Sequence, residues 1–211
     1  SDDFYPALQR PNVTLVTEVI EQITPNGIRC QDGREFPLDA IILCTGFHVT
    51  DNPLADTVFG RGGRCLGEVW QDGPDAYLGT LVHGIPNYFM LSGPNTGIGH
   101  TSLVFMMEVQ MEYVLRVLRC AQRYGWKAIE VTARAQRQFN DELDRRMQRT
   151  VWASGCRSWY IHPKGRISAT WPGTTISFWW RTLRVRVSDF EDSPQSSSTA
   201  PTSISPVNAV H

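Results

Sequence analysis

The chain has no charge excess of either sign and no long apolar run. Its 211 residues carry 20 basic and 21 acidic side chains, a formal net charge of -1. Without a basic excess there is little counterion release to drive binding, which excludes a dedicated nucleic-acid binder. No apolar run reaches the ~18 residues that a membrane span needs, so no span is expected. The opening S-D-D-F-Y-P lacks both a basic n-region and an apolar h-region, which predicts that no signal peptide leads the chain. Cysteines are few and unpaired in pattern: positions 30, 44, 65, 120 and 156, an odd number with no C-x-x-C. Neither a metal ligand set nor a redox dithiol is expected from them. Reduced thiols without a leader predict a cytoplasmic protein.

What is present reads as a globular chain of one or two domains, 41% hydrophobic, with six of its seven tryptophans after Gly125. The first third is strand-like. Val13 to Thr17 and Val19 to Thr24 are β-branched. Pro25-Asn26-Gly27 and Asp32-Gly33 are turn signals, with Ile28 to Gln31 and Arg34 to Pro37 as the returning strands of an antiparallel meander. Ala40 to Cys44 is an unbroken apolar run, the pattern of a strand covered on both faces. Val49 to Gly79 reads as loops. Asn87 to Leu91 reads as a short buried strand.

A long helix follows. Leu103, Met107, Met111, Val114, Leu115 and Leu118 recur at three- and four-residue steps, and Gly125 stops it. Glu108 and Glu112 are expected on its solvated face, the latter paired with Arg116. Ala128 to Val131 predicts a strand. Thr132 is positioned to cap a second helix, about Ala133 to Arg149, and a final helix is expected near Thr175 to Arg184, with Trp179 and Trp180 covering the core. From Ser188 onward Ser, Thr and Pro dominate, predicting a disordered tail.

Two places suggest a ligand. Ser92 to His100, S-G-P-N-T-G-I-G-H, lies between the predicted strand and the long helix, where backbone N–H groups can face an electron-rich acceptor. Cys44-Thr45-Gly46-Phe47 ends the other predicted strand, where a glycine permits close backbone approach. Either could also be a simple turn. His48 and His100 are read as structural.

Four stretches together resemble a known family: S-D-D-F-Y-P-A-L-Q-R-P-N-V, D-A-I-I-L-C-T-G-F, G-I-P-N-Y-F-M-L-S-G-P-N-T-G-I-G-H-T-S and G-C-R-S-W-Y. In this order they are similar to the C-terminal part of class B flavoprotein monooxygenases of the Baeyer–Villiger type, over about Ser1 to Arg184. The resemblance implies an α/β fold, the C-terminal part of a two-dinucleotide-binding-domain flavoprotein. Residues 1–45 would end the NADPH-binding domain, 46–187 would form the C-terminal half of the FAD-binding domain, and 188–211 would be the tail.

The resemblance also implies FAD and NADP as cofactors, with Thr45, Gly46 and Phe47 running close to them. Asn95, Thr96 and Leu103 would approach the flavin ring, and Trp159 would lie against NADP. The implied reaction passes one oxygen atom from O₂, through a peroxyflavin, to a small organic ketone or a heteroatom. No catalytic residue is assigned, because the family's catalytic arginine belongs to a stretch upstream of the segment matching Ser1. The dinucleotide glycine motifs and the F-x-G-x-x-x-H-x-x-x-W-P fingerprint are also missing. The expectation is therefore a fragment of a longer enzyme, inactive alone, whose partner is the N-terminal half. Two other readings are a flavin-dependent NAD(P)H reductase and a non-catalytic remnant acting as an interaction module.

Overall fold

The structure, a computed structural model, describes residues 2–44, 54–155 and 160–192. It divides into two compact units, Ser1–Gly46 and Phe47–His211.

The first unit has a short helix α1 (Phe4–Leu8) and a three-stranded antiparallel meander, β1 (Ile20–Thr24), β2 (Gly27–Cys30) and β3 (Glu35–Pro37), in that order. Gly27 pairs with Pro37, and a Cβ there would lie 1.9 Å from the Phe36 carbonyl oxygen, so only glycine fits this turn. Two expected strands did not form. Val13 to Thr17 has no ladder partner, and β-branched alternation makes a strand only where a neighbour accepts its hydrogen bonds. Ala40 to Cys44 is irregular, with Ile42 86% and Leu43 73% exposed, so the expected buried strand is a correction. An apolar run is buried only when something covers it, and no described segment pairs with this one.

The second unit is built on helix α3 (Leu103–Tyr124). Ser102 caps its start by accepting from the Phe105 N–H, and Gly125, at φ 66°, ends it in the left-handed conformation. The unit also holds the short α2 (Leu66–Val69), β4 (Ile129–Val131), α4 (Ala133–Met147), α5 (Thr175–Thr182) and β5 (Phe190–Asp192). Thr132 caps α4 through the Ala135 N–H, and Thr174 caps α5 through Ser177. Tyr113 and Val117 of α3, Phe139 and Leu143 of α4, Phe178 of α5, Val131, Trp171 and Phe190 form the main core. A smaller cluster gathers Leu66, Trp70, Val82, Ile85 and Met90.

The burial of α3 differs from the expected stripe. The core takes Met106, Val109, Gln110, Tyr113, Val114, Val117 and Ala121, whereas Leu103, Val104, Met111, Leu115 and Leu118 are exposed. The helix thus has two apolar faces, only one of them covered by described residues. Asn87 to Leu91 is not a strand. Asn87, at φ 59°, is fastened by its own N–H and its side-chain oxygen to the Ile129 peptide, and the Met90 N–H bonds to the Thr80 carbonyl. Trp179 and Trp180 do not cover the core; Trp171 fills it instead.

Residues 188–192, expected to belong to a disordered tail, are structured. β5 pairs antiparallel with β4, Phe190 is buried, and the Asp192 carboxylate accepts from the Lys127 and Ala128 N–H groups. One aromatic in an otherwise charged D-F-E-D stretch is enough to anchor it. Residues 193–211 lie outside the described residues.

Candidate functional site

The Gly-rich loop between residues 92 and 100 is held from three sides. From α3, the fully buried Gln110 accepts the Ser92 N–H at 2.9 Å and donates to the Gly79 carbonyl and the Thr80 hydroxyl, both at 2.9 Å. From the 167–171 segment, the Ser168 and Ala169 carbonyls accept the Asn95 and Gly97 N–H groups, and the Gly97 carbonyl accepts from Trp171. From within the loop, the Thr96 hydroxyl donates to the Gly93 carbonyl at 2.7 Å.

This packing explains three glycines without a ligand. A Cβ on Gly93 would lie 2.3 Å from the Gly79 carbonyl oxygen, one on Gly97 2.5 Å from the Ala169 carbonyl oxygen, and one on Gly79 2.1 Å from Thr96 Cγ2. Three of the loop N–H groups, those of Ser92, Asn95 and Gly97, are bonded within the protein.

Asn95 is different. It is buried, sits at φ 58°, and its amide donates to the Ile167 and Thr170 carbonyls at 2.8 and 3.0 Å. Its side-chain oxygen is buried without a hydrogen-bond partner. A buried acceptor left empty costs free energy, which sets this atom apart from the other polar groups of the loop. Thr96 is also buried. Leu103 is exposed in the first turn of α3, where backbone N–H groups lack intrahelical partners, and it stands beside exposed Val104 and Phe105. His100 is exposed. Thr45, Gly46, Phe47 and Trp159, with His48, lie outside the described residues.

A second polar cluster has no counterpart in the sequence reading. Glu130 on β4 has a fully buried side chain and stands directly across the ladder from Glu191. Its Oε1 accepts the Gly84 N–H at 2.8 Å and lies 3.3 Å from His83 Nδ1, while Arg61 Nη2 lies 2.6 Å from Oε2. The Arg61 contact is an ion pair rather than an aligned hydrogen bond. His83 Nδ1 also lies 3.0 Å from the Val131 carbonyl, to which it can only donate. His83, Glu130 and Glu191 present ligand atoms within 4.8 Å of one another. Arg61 and His83 thus gather at the surface around one buried carboxylate, that of Glu130. Signals for the cluster were lacking because its members lie on separate segments.

Elsewhere, burial pushes the Tyr77 phenol up, helped by the Asp189 carboxylate that accepts its hydrogen bond at 2.7 Å. Tyr77 is neutral and fixes the turn before β5. Glu112 pairs with Arg116 on the outer side of α3, as expected. The four described cysteines at 30, 44, 65 and 120 are free thiols. No helix among the described residues is long and apolar enough to cross a membrane.

No protein-family model matches the chain. It is 45% identical over 203 residues to a Baeyer–Villiger monooxygenase of Pseudomonas aeruginosa, covering 95% of this chain and 38% of that protein. A Baeyer–Villiger monooxygenase of Streptomyces coelicolor is 40% identical over 90% of this chain and 37% of its own length. Among solved structures, the closed form of cyclohexanone monooxygenase superposes with a TM-score of 0.73 at 26% identity, over 92% of this chain and 38% of that one. OTEMO in complex with FAD and NADP superposes with a TM-score of 0.67 at 26% identity, over 90% and 36%. The chain therefore spans somewhat over a third of the curated relatives it matches. Sequence and fold together make it a relative of the flavin-dependent Baeyer–Villiger monooxygenases, equivalent to a portion of one.

Proposed function

We propose that the chain is the C-terminal part of an FAD- and NADPH-dependent monooxygenase that transfers one oxygen atom of O₂ to a small organic ketone or heteroatom. The observation that carries this reading is the similarity over nearly the whole chain, in sequence and in fold, to Baeyer–Villiger monooxygenases. Residues 1–45 then close an NADPH-binding domain, and residues from 46 onward form the second half of an FAD-binding domain in a two-dinucleotide-domain enzyme. The cytoplasm is the proposed location.

The described residues fit one side of a flavin site. The empty Asn95 oxygen suits an N–H donor of a flat heterocycle, and Leu103 is exposed at the start of α3 close by in sequence. The flavin, when bound, supplies the oxygen activation, and NADPH supplies the electrons. The chain's own part is positional. Gln110 and the 167–171 segment fix the loop, Thr96 is locked by its bond to Gly93, and Leu103 offers an apolar contact that keeps water away. Thr45, Gly46 and Phe47 are proposed to pass close to the cofactors, and Trp159 to lie against NADP with its indole face and N–H.

The uncovered stripe of α3 belongs to the same reading. Leu103, Met111, Leu115 and Leu118 need an apolar neighbour. The remainder of the enzyme is the proposed one, as it is for Ile42 and Leu43.

The test uses two proteins. The chain alone, mixed with FAD and passed over gel filtration, is expected to elute without flavin absorbance, because it lacks a phosphate-cradling glycine loop. A chimera replaces the matching segment of the Pseudomonas aeruginosa relative by this chain. It is expected to co-elute with one flavin per chain and to oxidise NADPH with ester formation from a ketone. One flavin bound by the chain alone, or a flavin-free chimera that is otherwise folded, would overturn the reading.

A further inference from the structure

Helix α5, T-I-S-F-W-W-R-T, turns only part of its apolar surface inward. Phe178 and Thr182 are buried. Ile176, Trp179, Trp180 and Leu183 recur at the spacing i, i+3, i+4, i+7, which places them on one face. That face looks outward: Ile176 is 67% exposed and Trp180 71%, and Trp179, also exposed, meets Trp180 edge-on with ring centroids 6.4 Å apart. A surface position offers water nothing it favours in an indole, so two adjacent exposed tryptophans ask for an occupant.

The charges beside the stripe are predominantly basic, with Glu142 and Asp189 as the nearby carboxylates. Arg184 and Arg186 are exposed and make no ion pair among the described residues. Arg146 and Arg181 lie over the Trp171 ring and share Glu142, the one carboxylate lining the groove itself. Arg181 holds Glu142 below the usual carboxylate range, so that carboxylate stays charged and paired. Between α5 and the following segment lies an open groove of about 1040 Å³, lined by Ile176, Trp180, Leu183 and Val185 with Arg184 and Arg186 at its edge.

We propose that this face is a peripheral membrane-binding surface for anionic phospholipid. Tryptophan suits the headgroup boundary because its ring is apolar and its N–H is wet, and arginines beside it meet lipid phosphates and carboxylates. The groove accepts a headgroup while Ile176, Trp179 and Trp180 enter the acyl boundary. An acidic peptide would share the charge complementarity and is the competing outcome of the test below. The chain would lie on the bilayer and not cross it. This inference stands independently of the monooxygenase reading.

The experiment is co-sedimentation of the full chain with vesicles of phosphatidylcholine alone and with about one-third phosphatidylserine, with tryptophan fluorescence recorded in parallel. Binding is expected only with phosphatidylserine, accompanied by a blue shift, and weakening with added salt. Arg184→Glu with Arg186→Glu is expected to weaken binding by more than about 25-fold, since removing each cation alone is worth about fivefold. Arg184→Lys with Arg186→Lys should retain it. Trp179→Ser with Trp180→Ser should abolish the blue shift and reduce binding by roughly tenfold or more. Unchanged melting temperatures confirm that these exposed variants remain folded. Equal binding to both vesicles, no loss in either double variant, or capture by polyglutamate in place of vesicles would overturn the proposal.

Discussion

Gly79→Ala is expected to destabilise the second unit by about 3 kcal/mol, lowering its melting temperature by about 8 °C. Two costs add. Gly79 sits at φ 59°, where a side chain is strained by about 1 kcal/mol or more. The new methyl would also lie 2.1 Å from Thr96 Cγ2 and 2.8 Å from the Pro94 carbonyl oxygen. Thr96 cannot rotate away without giving up its bond to Gly93, and the Pro94 oxygen is backbone. Gly125→Ala separates the two costs: it has φ 66° but nothing within 4 Å of the added carbon, so only backbone strain applies. Differential scanning calorimetry of both variants decides the matter. Equal losses would mean that the 79–80 turn does not press on the Gly-rich loop, and the account of how Asn95 is positioned would fail with it.

Arg61→Ala is expected to cost about 3 kcal/mol through Glu130, not through its own contacts. The carboxylate it faces has no exposure to water and looks across the β4–β5 ladder at a second carboxylate, Glu191. Like charges in direct cross-strand register repel, and Arg61 and His83 are the groups that offset this. Removing the guanidinium leaves a buried charge short of a partner. The double change Arg61→Ala with Glu130→Gln is expected to recover much of the loss, because a neutral amide oxygen still accepts from the Gly84 N–H. A double-mutant cycle by urea denaturation measures the coupling. A coupling near zero would show that Glu130 is held without Arg61.

The helices were the most legible part of the chain, and for a local reason. Ser102 and Gly125 bound α3, and Thr132 starts α4, through contacts within a few residues. The inward face of α3 was not legible. Its sequence carries two apolar stripes, and the choice between them is made by α5 and Trp171, more than fifty residues away. The loop of Asn95 and Thr96 could be found from its glycines. Its partner could not, since the bonds from Asn95 reach Ile167 and Thr170 across 72 and 75 residues. The strand β5 was missed because a single buried Phe190 among acidic residues carries no pattern. Ala40 to Cys44 was overread because composition records what a segment needs, not what surrounds it.

The second apolar stripe of α3 makes the stability of this chain a property of its surroundings. Whatever covers Leu103, Met111, Leu115 and Leu118 binds the folded helix and not the unfolded chain, so it draws the folding equilibrium by mass action. A melting temperature taken on the chain alone is therefore a lower bound on that of the chain with the stripe covered. It should also climb with chain concentration wherever copies meet through that stripe. At a hundredfold excess of a covering surface over its dissociation constant, the gain is about 2.7 kcal/mol. That is nearly as large as either substitution above would take away.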